Sequence, residues 1–130
     1  MDIDISFPGG KKVAATFNGF TVETDQPVKQ GGGGTAPDPF ELFFASIATC
    51  VGYYAMNFCL ERNIPIGDLV VKMRTERDEE KKMTSKIAFD ITLPANFPAK
   101  YQAALIRSVG LCTVKKHMQN PPEFETNIIR

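Results

Sequence analysis

The sequence predicts an α+β domain spanning residues 1–130, with element order βββ-α-ββ-α-β and a long central helix. Three observations predict it. Apolar and polar residues alternate with period two from Ile3 to Thr24. An uncharged stretch of nineteen residues, Leu42 to Leu60, has the length of a long buried helix. A second pair of alternating segments then leads into a stripe at helical spacing. A chain of 130 residues is one domain's worth and can bury a real core without staples.

The first three strands form a meander. Ile3, Ile5 and Phe7 alternate with Asp2, Asp4 and Ser6, which predicts one face on a core. Pro8-Gly9-Gly10 turns the chain. Val13, Ala15 and Phe17 share a face of the second strand. Asn18-Gly19 is a strong two-residue hairpin signal, and Phe20, Val22 and Thr24 follow as the third strand. Asp25 to Ala36 contains four consecutive glycines, Gly31 to Gly34, with no Gly-Lys-Ser/Thr after them. It is expected as a flexible connector rather than a phosphate cradle.

Asp38 is placed to cap a helix, with Pro39 at its first position and Glu41 three residues after the cap. The helix is expected to run to about Arg62, a length of roughly 36 Å. It is apolar almost all round, which requires cover on every side. One small chain has little to supply it, so a second subunit is expected to help bury it. Ser46, Thr49, Gly52, Tyr53, Tyr54 and Asn57 interrupt the stretch and favour a soluble core helix over a membrane span.

Leu69 to Arg77 and Ile87 to Leu93 alternate on either side of the charged turn Asp78–Met83, predicting a long exposed hairpin. A second helix is expected from Pro98, with Leu105, Val109 and Cys112 as its inward stripe and a break at Gly110. Pro121-Pro122 stops it, and Phe124, Thr126 and Ile128 are expected as a last strand.

Composition narrows the function. Fifteen basic and fifteen acidic residues give net charge +0, with no basic excess for a nucleic-acid partner. The first residues carry neither a basic n-region nor an apolar h-region, and the odd number of cysteines, three, is not that of a disulfide scaffold. A reducing cytoplasm is therefore the expected location. No metal-ligand spacing links the three Cys and the single His, so no structural zinc site is expected. His117 falls about 140° round a helix from Cys112, an awkward place for a Cys-His pair, and is expected at the surface.

Cys50 lies mid-helix and Cys112 on the second inward stripe, 62 residues later. Cys59, nine residues after Cys50, falls on the opposite face and reads as a small buried hydrophobe. Cys50 and Cys112 admit two readings. They are buried packing residues, or they are a dithiol in a shared pocket, where one thiolate attacks a peroxide and the other closes a disulfide.

Two segments resemble a known family. Ala36-Pro37-Asp38-Pro39-Phe40-Glu41-Leu42-Phe43-Phe44-Ala45-Ser46-Ile47-Ala48-Thr49-Cys50 is similar to the Pro-x-Glu-Leu-hydrophobic-Ala-small-Cys helix of OsmC/Ohr proteins. Gly110-Leu111-Cys112-Thr113-Val114-Lys115-Lys116 resembles their second Cys-Pro-Val-[Ser/Thr]-[Lys/Arg] segment. The resemblance implies an intertwined homodimer and thiol-dependent reduction of organic hydroperoxides, with no metal or bound cofactor required. Cys50 would be peroxidatic, Cys112 resolving, and the reductant a dithiol. It also exposes departures. The family's peroxidases hold the thiolate with an Arg from the N-terminal strands, whereas the first Arg here is Arg62. Their Glu stands ten residues before the first Cys, where this chain has Phe40, with Glu41 one place on; Thr113 replaces the Pro after the second Cys. Lys12 and Glu41 are then the candidates for thiolate support, and Phe40, Phe43, Phe44 and Tyr53 for an apolar substrate pocket. The alternative is a non-catalytic relative that binds a small apolar ligand or acts in stress response.

Overall fold

The computed structural model describes residues 1–130 as five strands and three α-helices. The strands are β1 (Asp4–Gly9), β2 (Lys12–Phe17), β3 (Phe20–Thr24), β4 (Val70–Asp78) and β5 (Met83–Thr92). The helices are α1 (Pro39–Leu60), α2 (Gln102–Val109) and α3 (Thr113–Gln119). The chain packs as two units, Met1–Ala45 and Ser46–Arg130, and α1 runs through the boundary.

In the first unit β1, β2 and β3 form an antiparallel sheet in sequence order. Phe17 pairs with Phe20 across Asn18 and Gly19, which take φ of 49° and 79°. Both central residues of this two-residue turn thus have the positive φ that matches the twist of the flanking strands. The expected facing is not realised within the chain. Every residue of β1 is exposed, Phe7 at 78%, and the buried side chain of β2 is Ala14 rather than Val13, Ala15 or Phe17. Alternation marks which side chains share a face, and it does not by itself supply a layer to cover that face.

The glycine loop departs further from expectation. It is an anchored structure rather than a flexible connector. Asp25, directly after β3, is fully buried and accepts from four donors. Its Oδ1 takes the Gln26 N–H at 2.8 Å. Its Oδ2 takes the N–H groups of Gly33 and Thr35, each at 3.2 Å, and the Thr35 hydroxyl at 2.7 Å. The loop's remaining N–H groups turn inward too: Gly31, Gly32 and Gly34 donate to Val28, Pro27 and Gln26 carbonyls. None of these is left over for a phosphate. Gly32 is required by close approach, since a Cβ there would overlap the Gln26 carbonyl.

The α1 start is as the sequence reads. Glu41 N–H donates to Asp38 Oδ1 at 2.8 Å and Asp38 N–H donates to Glu41 Oε1 at 3.3 Å, a reciprocal capping box. At the other end Asn63 adopts φ of 55°, Ile64 N–H returns to the Cys59 carbonyl at 3.0 Å, and Arg62 donates to the Phe58 carbonyl. These partners satisfy carbonyls that a helix end leaves open.

The core of the second unit joins α1 to α2 and the residues after it. Val51, Ala55, Phe58, Leu105, Val109 and Cys112 form one buried cluster, with Val71, Phe89 and Ile91 of the β4–β5 hairpin packed on it. The hairpin's outer face is a run of ion pairs, with Arg74 forked onto Asp90 and Lys86 near Glu76. Only one side of α1 is covered: Phe40, Phe43, Tyr53 and Leu60 stay exposed. By length and composition α1 could also cross a membrane, and 28% of its most apolar window is buried in the chain.

The second expected helix is split. Gly110 ends α2 and the chain restarts at Cys112, the N-cap of α3. The expected last strand does not form. Residues 121–130 carry no regular structure, and Phe124 and Ile129 are 91% and 93% exposed. Pro121 and Pro122 donate no backbone hydrogen bond, and the segment beyond them finds no ladder partner in the chain. The observed order is therefore βββ-α-ββ-α-α, still α+β.

The Asp25 anchor gives a prediction. Its hydrogen bonds depress its carboxyl to about 2, Thr35's hydroxyl contributing most. A carboxyl lowered in the folded state stabilises the fold above its unfolded value near 4 and loses that contribution as pH falls toward 2. Asp25→Asn should lower Tm by several degrees at pH 7 and flatten the acid limb of the Tm–pH curve between about pH 4 and 2. Equal acid limbs in the two proteins would contradict the anchor.

Candidate active site

Two cysteines from distant parts of the chain meet in the second unit. Cys50 sits on α1 between Ile47 and Val51, both buried, so its side chain is held at the core edge. Cys112 arrives because Gly110 stops α2 and lets the chain turn before α3 begins. As N-cap, its Sγ accepts the Lys115 N–H at 3.5 Å. Cys112 is fully buried and Cys50 half-buried, packed against the same core cluster. Tyr54, one turn after Cys50, has its hydroxyl 3.5 Å from the Thr113 hydroxyl, which fastens the first turn of α3 to α1.

The environments of the two thiols move them in opposite directions. Burial pushes the Cys50 thiol up. The Cys112 hydrogen bond, the N–H groups of Val114 and Thr113 and the Lys115 charge outweigh it, so Cys50 lies below the ordinary thiol range. Cys112 lies above that range, through burial first and then through the hydrogen bond with Cys50. Of the two, Cys50 is the more readily ionised. Cys59 is buried and raised by burial, which fits an inert packing role.

Lys115 is the cation that acts on Cys50, and sequence reasoning did not single it out. It is half-buried, and its ammonium lies 6.0 Å from the Phe89 ring centroid. Phe89, Ile47, Ile87, Met118, Gln119 and Lys115 enclose a cavity of about 170 Å³. The signal that could have found Lys115 was its place three residues after Cys112, one turn into the helix that Cys112 caps.

The other sequence candidates are placed as follows. Glu41 is engaged in the α1 capping box. Lys12 lines a cavity of the first unit with Lys11, Asp25, Gly31 and Thr35. Phe40, Phe43 and Phe44 form an aromatic cluster, Phe40 and Phe43 stacked at 5.5 Å and Phe40 edge-on to Phe44 at 4.6 Å. Tyr53 packs edge-on against Tyr54 at 5.5 Å. None of these four lines the cavity beside Lys115. His117 is exposed, its Nδ1 2.7 Å from the Thr113 carbonyl.

The family model described as OsmC-like protein matches residues 31–127, which contain both cysteines and the α1 capping box. The chain belongs to the OsmC-like protein family. Its fold agrees with solved structures of low sequence identity. A Psychrobacter arcticus protein aligns with TM-score 0.72 at 21% identity, over 88% of this chain and 85% of the other. The OsmC-like protein of Mycoplasma pneumoniae gives 0.70 at 15%, over 92% and 87%. The organic hydroperoxide resistance protein OhrB of Bacillus subtilis gives 0.52 at 20%, over 92% and 93%. No curated protein matches the chain.

Proposed function

We propose that this OsmC-like chain reduces small apolar hydroperoxides through Cys50 and Cys112, in a reducing cytoplasm. The observation that carries the reading is the asymmetry of the pair. A half-buried thiol below its ordinary range stands beside a buried thiol above it. The OhrB likeness supports the substrate class.

The chemistry balances with two electrons from the dithiol. The Cys50 thiolate attacks the terminal oxygen of R–O–OH. An S–O bond forms, the O–O bond breaks, and the alkoxide takes up a proton to leave as R–OH. Cys112, deprotonated, then attacks the Cys50 sulfenic sulfur. An S–S bond forms, the S–O bond breaks, and the hydroxide leaves as water. An external dithiol exchanges with the disulfide and restores both thiols. No metal or bound cofactor takes part.

A homodimer belongs to this reading. Phe40, Phe43, Tyr53 and Leu60 leave an apolar side of α1 open, and β1 presents Ile5 and Phe7 outward. Apolar area of this extent is what a second copy covers.

One equivalent of cumene hydroperoxide should remove two thiols per chain within seconds, and peptide mapping should recover a Cys50–Cys112 crosslink. Cys50→Ser should abolish the loss, Cys112→Ser should stop at a sulfenic acid trapped by dimedone, and Cys59→Ser should behave as wild type. Slow loss spread equally over all three cysteines would overturn the enzyme reading and leave the ligand-binding one. Light scattering at micromolar concentration should give twice the chain mass of 14.4 kDa; a monomer would contradict the dimer.

A further inference from the structure

We propose that Lys115 is the positioning cation of this dithiol, and that the cavity it lines with Ile47, Ile87, Phe89 and Met118 receives the apolar body of the peroxide. The inference rests on the peroxidase reading above and gives that site its electrostatic support and its approach.

The geometry has three parts. The Lys115 backbone N–H donates to Cys112 Sγ, so the residue is locked to the pair by its main chain whatever its side chain does. Its ammonium stands over Phe89, a wall of the cavity, in a half-buried place where water screens it less than at the surface. Ile47, another wall, lies three residues before Cys50, on the adjoining part of the same α1 face. Lys115 therefore lines the hollow with its side chain and meets the Cys112 sulfur through its backbone. The charged and titratable groups recorded as acting on Cys50 are Cys112 and Lys115.

This arrangement answers the missing Arg. An ammonium acts as a point charge and lacks the planar fork of a guanidinium, so it stabilises a developing thiolate or alkoxide without fixing its direction. Direction must come from elsewhere, and the N–H groups of Thr113 and Val114 toward Cys50 supply it. The apolar walls suit the organic part of a hydroperoxide, and Gln119 and Lys115 are the polar groups of the lining.

Lys115→Met removes the charge and keeps both the backbone donor and an apolar stem of similar length. It should slow iodoacetamide alkylation of Cys50 at neutral pH by about three- to tenfold and shift the alkylation–pH profile upward. Lys115→Arg should restore the wild-type profile, and Lys116→Met, the same charge change one residue away, should leave it unmoved. Met118→Gln should raise KM for cumene hydroperoxide several-fold more than it slows the reaction with hydrogen peroxide. Identical alkylation profiles for Lys115→Met and wild type, or an Arg variant that behaves as Met, would overturn the cation. Equal effects of Met118→Gln on both peroxides would overturn the approach. Should wild type lose no thiols to peroxide while the Lys115→Met profile still shifts, the peroxidase reading fails and the electrostatic assignment stands.

Discussion

The meeting of Cys50 and Cys112 at one buried cluster is the constraint on which the candidate site depends, and most of the second unit's architecture serves it. A long apolar helix is needed to carry Cys50 to the core edge with Ile47 and Val51 buried on either side. A helix break is needed to bring Cys112 round to meet it, and Gly110 provides that break. Had α2 continued through Cys112, its backbone N–H groups would have been spent on the helix ladder. Restarting at Cys112 frees the N–H groups of Thr113, Val114 and Lys115 to serve sulfur, two toward Cys50 and one toward Cys112 itself. The same few residues thus cap α3 and set the two thiols on opposite sides of their ordinary range.

A chain of zero net charge has no long-range field to lend such a site. Its electrostatics are local and made of short contacts. Asp25 is lowered by four donors within its own loop, and Cys50 is lowered by a thiol, two amides and one ammonium. Burial opposes the charged form in both cases, and hydrogen bonding wins in both. The exposed ion pairs of the β4–β5 hairpin contribute little to stability, since their side chains lie in water.

Much of this was legible in the residues. The capping box at Asp38 and Glu41, the Asn18-Gly19 turn and the break at Gly110 are local chemistry, and local chemistry survives folding. The Cys50/Cys112 pairing was readable as one of two alternatives, and the family resemblance pointed to the pair. What escaped the sequence depends on partners. The glycine loop read as a flexible connector because nothing in its composition announces that Asp25, before it, would collect its amides. The strand expected at Phe124–Ile128 had the right alternation and no edge to pair with. The hollow beside Lys115 is lined by Ile47, Ile87, Phe89 and Met118, drawn from three elements that only the fold brings together.

The most direct test is a thiolate titration by ultraviolet absorbance on the reduced Cys59→Ser protein, which leaves the pair as the only thiols, with the phenolate signal of the three tyrosines subtracted using the Cys50→Ser/Cys59→Ser/Cys112→Ser protein. The dithiol predicts two separate steps, one below and one above the ordinary thiol range, because the environments of the two thiols move them in opposite directions. A single transition in which both thiols ionise together at the ordinary value would contradict the account.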